Sequence, residues 1–183
     1  MLVIIGESAS GKTTLQEMLT NDDSNTFKKV VTYTTRPMRK GEINGKDYHF
    51  VSEDKFQQLI KNDFFVEHAK YRNWSYGTAR KDCINAKDNV AILTPAGLRA
   101  LKRIGADVKS VYLYVDRRSR LISILTRGDD IDEAYRRNLS DVGQFDEVAE
   151  EVDYVIDNSF FHMNKEQVLK CLKEILTEIG EVE

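Results

Sequence analysis

The 183-residue chain is poor in the residues that build metal and disulfide frameworks, with two cysteines and three histidines. Cys83 and Cys171 lie far apart, without paired spacing or a neighbouring histidine, so the sequence predicts buried reduced thiols. His49, His68 and His162 are scattered. No stretch approaches the roughly 20 apolar residues of a membrane span, and no basic leader precedes the opening apolar run MLVII. The expectation is therefore a cytoplasmic protein without a membrane partner. Positive charge is in deficit too: the formal net charge is −3 and the pI about 5.7, which argues against a general nucleic-acid binder. Internal repeats, low-complexity tracts and evident linkers are missing, so one main domain with small insertions is predicted for this length.

What is present begins at residue 6. GESASGKTT, residues 6 to 14, follows a buried-strand pattern and opens a helical one, and it fits the phosphate-loop spacing of Gly, four residues, Gly, Lys, then Ser or Thr. Gly6 and Gly11 allow backbone angles that turn successive N–H groups round a phosphate. Lys12 places a positive charge against the β- and γ-phosphoryl oxygens, Thr13 offers a hydroxyl to Mg²⁺, and the helix from GKTTLQEML points its positive end at the anion. The predicted guest is a nucleoside triphosphate.

Further along, KKVVTYTT reads as a second strand, and RPMRKGEINGKDYHF, residues 36 to 50, as a polar segment ending in a short strand. SEDKFQQLIKN has Ser52 as an N-cap and places Phe56, Leu59 and Ile60 on one helical face, after which DFFVEHAKY resumes an extended pattern. YGTARKDCINA is predicted to start another helix. NVAILT and VKSVYLYV are apolar, β-rich runs of the kind covered on both faces, and PAGLRALKRIG between them suits a crossover helix beginning at Pro95. Residues 117 to 151 read as charged and helical, DYVIDN as a last strand, and Val168, Leu172, Ile175, Leu176 and Ile179 as a core-facing stripe.

Strands alternating with helices behind a phosphate loop predict a three-layer α/β fold with a mainly parallel sheet. Residues 1–31, 81–116 and 146–183 form its core. Two polar stretches interrupt it: residues 32–80, predicted to hold an acceptor, and residues 117–145, predicted to be a helical lid.

The first insertion carries Arg36, Arg39, Tyr48, Glu67, Tyr76, Gly77 and Thr78. Taken singly, the arginines read as solvated charges and the tyrosines as packing aromatics. Together, two guanidinium groups and phenols suit a phosphate, while a semi-buried carboxylate beside a hydroxyl suits a base with donors on its edge. That combination describes a nucleoside monophosphate.

At these residues the chain resembles the guanylate kinase family. The similarity runs through the phosphate loop, TTRPMRKGEINGKDYHFV, FFVEHA, YGT, the RG at Arg127, and DYVIDN ending at Asn158. The resemblance implies a P-loop kinase fold in which Gly6, Glu7, Ser8, Ala9, Ser10, Gly11, Lys12, Thr13 and Thr14 bind ATP and Thr13 contacts Mg²⁺. It implies that Arg36, Arg39, Tyr48 and Tyr76 hold the phosphate of GMP, that Glu67, Thr78 and Thr94 meet the guanine with Thr32 nearby, and that Lys12, Arg39, Arg127 and Arg137 support transfer. The small-molecule partners would be ATP and GMP, and the assembly a monomer or homodimer.

The chain also departs from that pattern. The family's strand matching NVAILT ends in Leu-Asp-Ile-Asp, whereas this chain reads ILTPAGL, so Thr94 replaces the first acid. Ser123 and Asn138 stand where arginines are usual, with Arg120, Arg136 and Arg137 close enough in sequence to substitute. The proline of RPMR is one place early. Two other readings therefore stay open: a kinase with an altered acceptor, and a non-catalytic domain that binds a peptide, against which the intact Gly11, Lys12 and Thr13 argue. A GTPase switch would need an Asn-Lys-any-Asp motif, and NGKD at 44 to 47 has the wrong order.

Overall fold

A computed structural model of the chain describes every residue except 22–26, 72, 85, 127–130, 179 and 181–183, together with the side chains at 71, 133, 134 and 137. Its centre is a parallel sheet of five strands: β1 (Leu2–Ile5), β2 (Lys28–Lys29), β7 (Asn89–Ile92), β8 (Lys109–Tyr114) and β9 (Tyr154–Asp157), in the order β2-β7-β1-β8-β9. β1 is apolar at every position because both of its faces are covered. Leu2 and Ile4 pack on one side with Leu15 and Leu19 of α1 (Lys12–Thr20) and Leu172 and Leu176 of α7 (Lys165–Glu178). Val3 and Ile5 pack on the other with Leu98 and Leu101 of α3 (Pro95–Arg103) and Val148 of α6 (Val148–Glu151). Each such side chain contributes roughly 1.5–3 kcal/mol of burial. This is the three-layer arrangement expected. In α7, Val168 joins the buried stripe and Ile175 packs against it, while Ile179 lies outside the described residues.

The insertion builds a second sheet from β3 (Tyr33–Thr34), β4 (His49–Phe50), β5 (Phe65–Tyr71) and β6 (Trp74–Ala79), in the order β4-β3-β6-β5 and of mixed direction. Helix α2 (Glu53–Lys61) starts where expected, Ser52 Oγ accepting from Lys55 N at 3.2 Å, and buries Phe56 against Phe65 with ring centroids 4.6 Å apart. Tyr33 meets the edges of Phe64 and Phe65 at 5.3 and 5.7 Å. This aromatic cluster is a small core separate from the main one.

Two expectations are corrected. KKVVTYTT is not one strand: Val30 N donates to Val90 O in the first sheet at 2.9 Å, and Thr32 O accepts from His49 N in the second at 2.9 Å, so one extended run serves both. YGTARKDCINA does not start a helix. Tyr76, Gly77 and Thr78 pair with Ala69, His68 and Glu67 in an antiparallel hairpin, and only a 3₁₀ turn, Arg80–Asp82, follows. Partnership with β5 outweighs local propensity. The lid stretch contains α4 (Arg117–Thr126) and α5 (Ile131–Asp141). Cys83 is buried, with burial pushing its thiol up to about 12, and Cys171 is half-buried; both are free thiols. Among the described residues no helix is long and apolar enough to cross a membrane.

Candidate nucleotide-binding site

The loop between β1 and α1 closes tightly on itself. A Cβ at Gly6 would lie 2.6 Å from the Leu113 carbonyl oxygen and 2.7 Å from Ser10 Oγ, so only glycine fits there. Ala9 and Gly11 take positive φ angles of 66° and 97°, which turn the backbone N–H groups inward. Lys12 folds back over the loop and donates from Nζ to Glu7 O at 2.6 Å. Burial pushes its ammonium down to about 8, against the opposing pull of Asp141 and Glu7. Ser10 Oγ is buried without a hydrogen-bond partner, whereas Thr13 and Thr14 are exposed at the start of α1.

In the insertion, polar side chains hold one another. Arg36 is buried; it donates from Nη2 to Glu42 Oε1 at 2.6 Å and from Nη1 to Pro37 O at 2.8 Å, and lies 5.4 Å over the Tyr48 ring. Glu42 Oε2 also accepts from Arg39 N at 2.6 Å, and the Arg36 hydrogen bond holds its carboxyl below the usual range. Arg39 itself is exposed, and the Tyr48 and Tyr76 rings stand 6.1 Å apart. Burial pushes the Tyr48 phenol up.

Glu67 is the best-supported carboxylate of the site. Its Oε2 accepts from Thr94 Oγ at 2.5 Å and Thr94 N at 3.3 Å, and its Oε1 from Thr78 Oγ at 3.4 Å. Burial raises its pKa, and these three donors oppose the rise. Thr94 is the N-cap of α3 and accepts from Gly97 N at 3.1 Å, so its single hydroxyl proton is directed at Glu67. Gly97 leaves the room: a Cβ there would lie 2.2 Å from Glu67 Oε2.

These parts meet in one cavity of about 280 Å³, lined by Gly6, Ser8 and Lys12 on one side and Glu67, Thr78 and Thr94 on the other. Thr32 and Tyr76 line it too, and they also line a second cavity of about 280 Å³ that reaches Thr13, Glu42 and Tyr48. The geometry thus brings the loop together with Thr32, Glu67, Tyr76, Thr78 and Thr94, whereas Tyr48 lines the second cavity and Arg36 and Arg39 connect to it through their hydrogen bonds to Glu42.

The stretch 117–145 agrees less with expectation. Arg127 lies outside the described residues, and Arg137 is described only by its backbone in α5. Ser123 faces Phe160 and Phe161 across a separate hollow, and Asn138 is buried, accepting from Arg117 Nε at 2.6 Å. Among the described residues of this stretch, Arg120 reaches the loop, donating from Nη1 to Ser8 O at 3.3 Å and from Nε to Val115 O at 2.9 Å. Two further features carry no sequence signal. Asp141 touches Ser8, and a hollow of about 150 Å³ behind Ser10, Gly11 and Thr14 is bounded by Asn158, Phe161 and Met163.

A phosphate loop at the carboxyl ends of parallel strands, facing a carboxylate-lined polar cavity, defines a P-loop nucleotide-binding protein of the monophosphate kinase architecture. The chain belongs to the guanylate kinase family: the family model described as "Guanylate kinase" matches residues 1–178. It is 32% identical over 175 residues to a guanylate kinase of Baumannia cicadellinicola, covering 88% of this chain and 83% of that protein. It is 30% identical over 190 residues to one of Mycoplasma mobile, covering 98% and 94%. The crystal structure of a guanylate kinase from Anaplasma phagocytophilum superposes with a TM-score of 0.65 at 25% identity, over 97% of this chain and 84% of that one.

Proposed function

We propose that this protein transfers the γ-phosphoryl group of ATP to GMP or dGMP, yielding ADP and GDP or dGDP. The observation that carries this reading is the single cavity shared by Lys12 and Glu67, because transfer needs donor phosphates and acceptor base held in one enclosure. The loop, residues Gly6 to Thr14, receives the triphosphate, with the adenosine side against Asn158 and Phe161. Arg36, Arg39, Tyr48 and Tyr76 receive the phosphate of GMP. Arg36 then exchanges Glu42 for that phosphate, a trade of one charge-assisted hydrogen bond for another. Guanine presents N1–H and its exocyclic amine side by side to Glu67, while Thr78 donates to O6 and Thr32 and Thr94 border the base.

No general base is demanded. In-line placement and positive charge from Lys12, Arg39 and the lid residues Arg127 and Arg137 stabilise the transferring group. Thr13 is a single neutral oxygen donor, and among the described residues no group of three His, Cys, Asp or Glu side chains could cage a metal. That donor set fits Mg²⁺ carried in on the triphosphate, where the ion would neutralise phosphoryl charge. On this reading residues 32–80 are the acceptor subdomain and 117–145 a lid.

The neutral Thr94 in place of the family's acid favours, as a second reading, a kinase with an altered acceptor. A coupled assay of MgATP against GMP, dGMP, AMP, UMP and CMP decides between them. Adenine would set its N1 lone pair against Glu67, so GMP should exceed AMP by about 30- to 1,000-fold in kcat/KM, and Glu67→Ala should abolish that ratio. Equal use of AMP and GMP would overturn the guanine assignment.

A further inference from the structure

The lid brings an anion of its own to the phosphate loop. Asp141, the last residue of α5, accepts from Ser8 N at 2.8 Å through Oδ2, and Ser8 Oγ reaches its Oδ1 at 3.4 Å. Arg120 Nη1 stands 3.6 Å from the same carboxylate, while Arg120 Nη2 faces Glu7 Oε1 at 3.5 Å. The side chains of Glu7 and Arg120 are buried, and Asp141 is nearly so. Asp141 also lines the cavity that Ser8 and Lys12 share with Glu67, and it is the foremost charge favouring the protonated form of Lys12.

The grouping is electrostatically complete as it stands. Lys12 and Arg120 supply two positive charges, Glu7 and Asp141 two negative ones. A loop N–H at 2.8 Å from a carboxylate oxygen has no capacity for a second anion, and a triphosphate arriving at Lys12 would face the Asp141 charge directly. Arg120, by contrast, is tied to backbone carbonyls on both sides of the gap, Val115 O and Ser8 O, so it does not depend on Asp141 for its position.

Resting on the kinase reading above, we infer that Asp141 is an internal stand-in for the terminal phosphoryl group: it docks α5 on the phosphate loop, competes with ATP for the Ser8 N–H, and on leaving releases Arg120 to the incoming phosphate. Asp141 is thus a positioning residue whose effect falls on the donor nucleotide. The apparent affinity for ATP is reduced by the fraction of molecules in which Asp141 holds the seat. GMP, which meets the other wall of the cavity, does not pay this penalty.

Calorimetric titration of the full chain with MgATP, magnesium tripolyphosphate and GMP tests the inference. Asp141→Ala should bind MgATP and tripolyphosphate about tenfold more tightly, within the usual 5- to 150-fold span of coupling between sites, with GMP affinity unchanged. Asp141→Asn, which keeps the shape and loses the charge, should fall between the two; if the alanine variant does not fold, the asparagine variant decides alone, tighter MgATP binding supporting the inference and unchanged binding overturning it. MgATP affinity that is unchanged or weaker in folded variants overturns the inference while leaving the kinase reading intact. Failure of the unmodified protein to bind MgATP would instead remove the kinase reading itself.

Discussion

On the proposed reading, the two sheets hold their nucleotides in different ways. At the parallel sheet the anion seat is made of backbone N–H groups, shaped by β1, α1 and the Leu113 carbonyl that excludes any side chain at residue 6. At the mixed sheet the acceptor seat is made of side chains, and each is held by another: Arg36, for the phosphate, by Glu42, and Glu67, for the base, by Thr94 and Thr78. The first seat draws its precision from a core buried on two faces, the second from a chain of polar partners over a small aromatic cluster. A backbone seat should tolerate changes around it except at the lysine and the packed glycine. A side-chain seat should fail stepwise when a supporting residue is changed.

Lys12→Ala breaks the backbone seat most severely. It removes the charge that meets the transferring group, and the rate should fall on the order of 10³-fold or more with melting temperature unchanged. Near-normal turnover in a steady-state assay would contradict the donor-side assignment.

Gly97→Ala probes the side-chain seat from outside it. The new methyl would occupy the place of Glu67 Oε2, and because the far end of Glu67 can swing aside, the fold should survive while the carboxylate loses its position. We expect kcat/KM for GMP to fall on the order of 10- to 100-fold, with MgATP affinity retained in a direct titration.

A third contrast is in pH. Burial pushes the Lys12 ammonium down to about 8, below its ordinary value, so it loses its proton as pH rises through that point. A bound triphosphate favours the charged form, and binding above pH 8 must therefore take up a proton. MgATP affinity should drop about tenfold between pH 7 and pH 9, with the proton uptake visible as a buffer-dependent enthalpy. A flat profile would place Lys12 outside the anion seat.

The smallest expected effect sharpens the acceptor side. Only the ionised form of Glu67 can accept from both guanine donors at once, and burial holds its pKa above the ordinary range, so use of GMP should decline as pH falls through that raised value. Thr94→Val removes the opposing hydroxyl and should move this decline to higher pH, with roughly a fivefold loss in kcat/KM at neutral pH and about 1 kcal/mol of stability from the lost cap. Thr94→Ser should restore both, which a purely steric role for Thr94 would not require.

Much of this was legible in the chain because local signals and tertiary demands agreed. GESASGKTT declares its turn through spacing alone, Ser52 and Pro95 mark helix starts by their own chemistry, and the unbroken apolar runs LVII and VAIL need cover on both faces. Where they disagreed, the reading failed. KKVVTYTT carries strand propensity throughout, and nothing in it shows that the run passes from one sheet to the other between Val30 and Thr32. The segment after Tyr76 has the look of a helix start, yet β5 offers it a ladder.

The sequence by itself determined the three-layer fold and the phosphate loop, since periodicity and motif spacing are properties of neighbours along the chain. Only the tertiary structure decided that Thr94 spends its hydroxyl proton on Glu67, that Arg36 waits on Glu42, and that Arg120 and Asp141 meet Glu7 and Ser8 more than a hundred residues away in the chain. Such contacts join residues whose separation carries no period. They are set by how α3, α4 and α5 pack around the loop, and by the cost of leaving a buried charge without a partner.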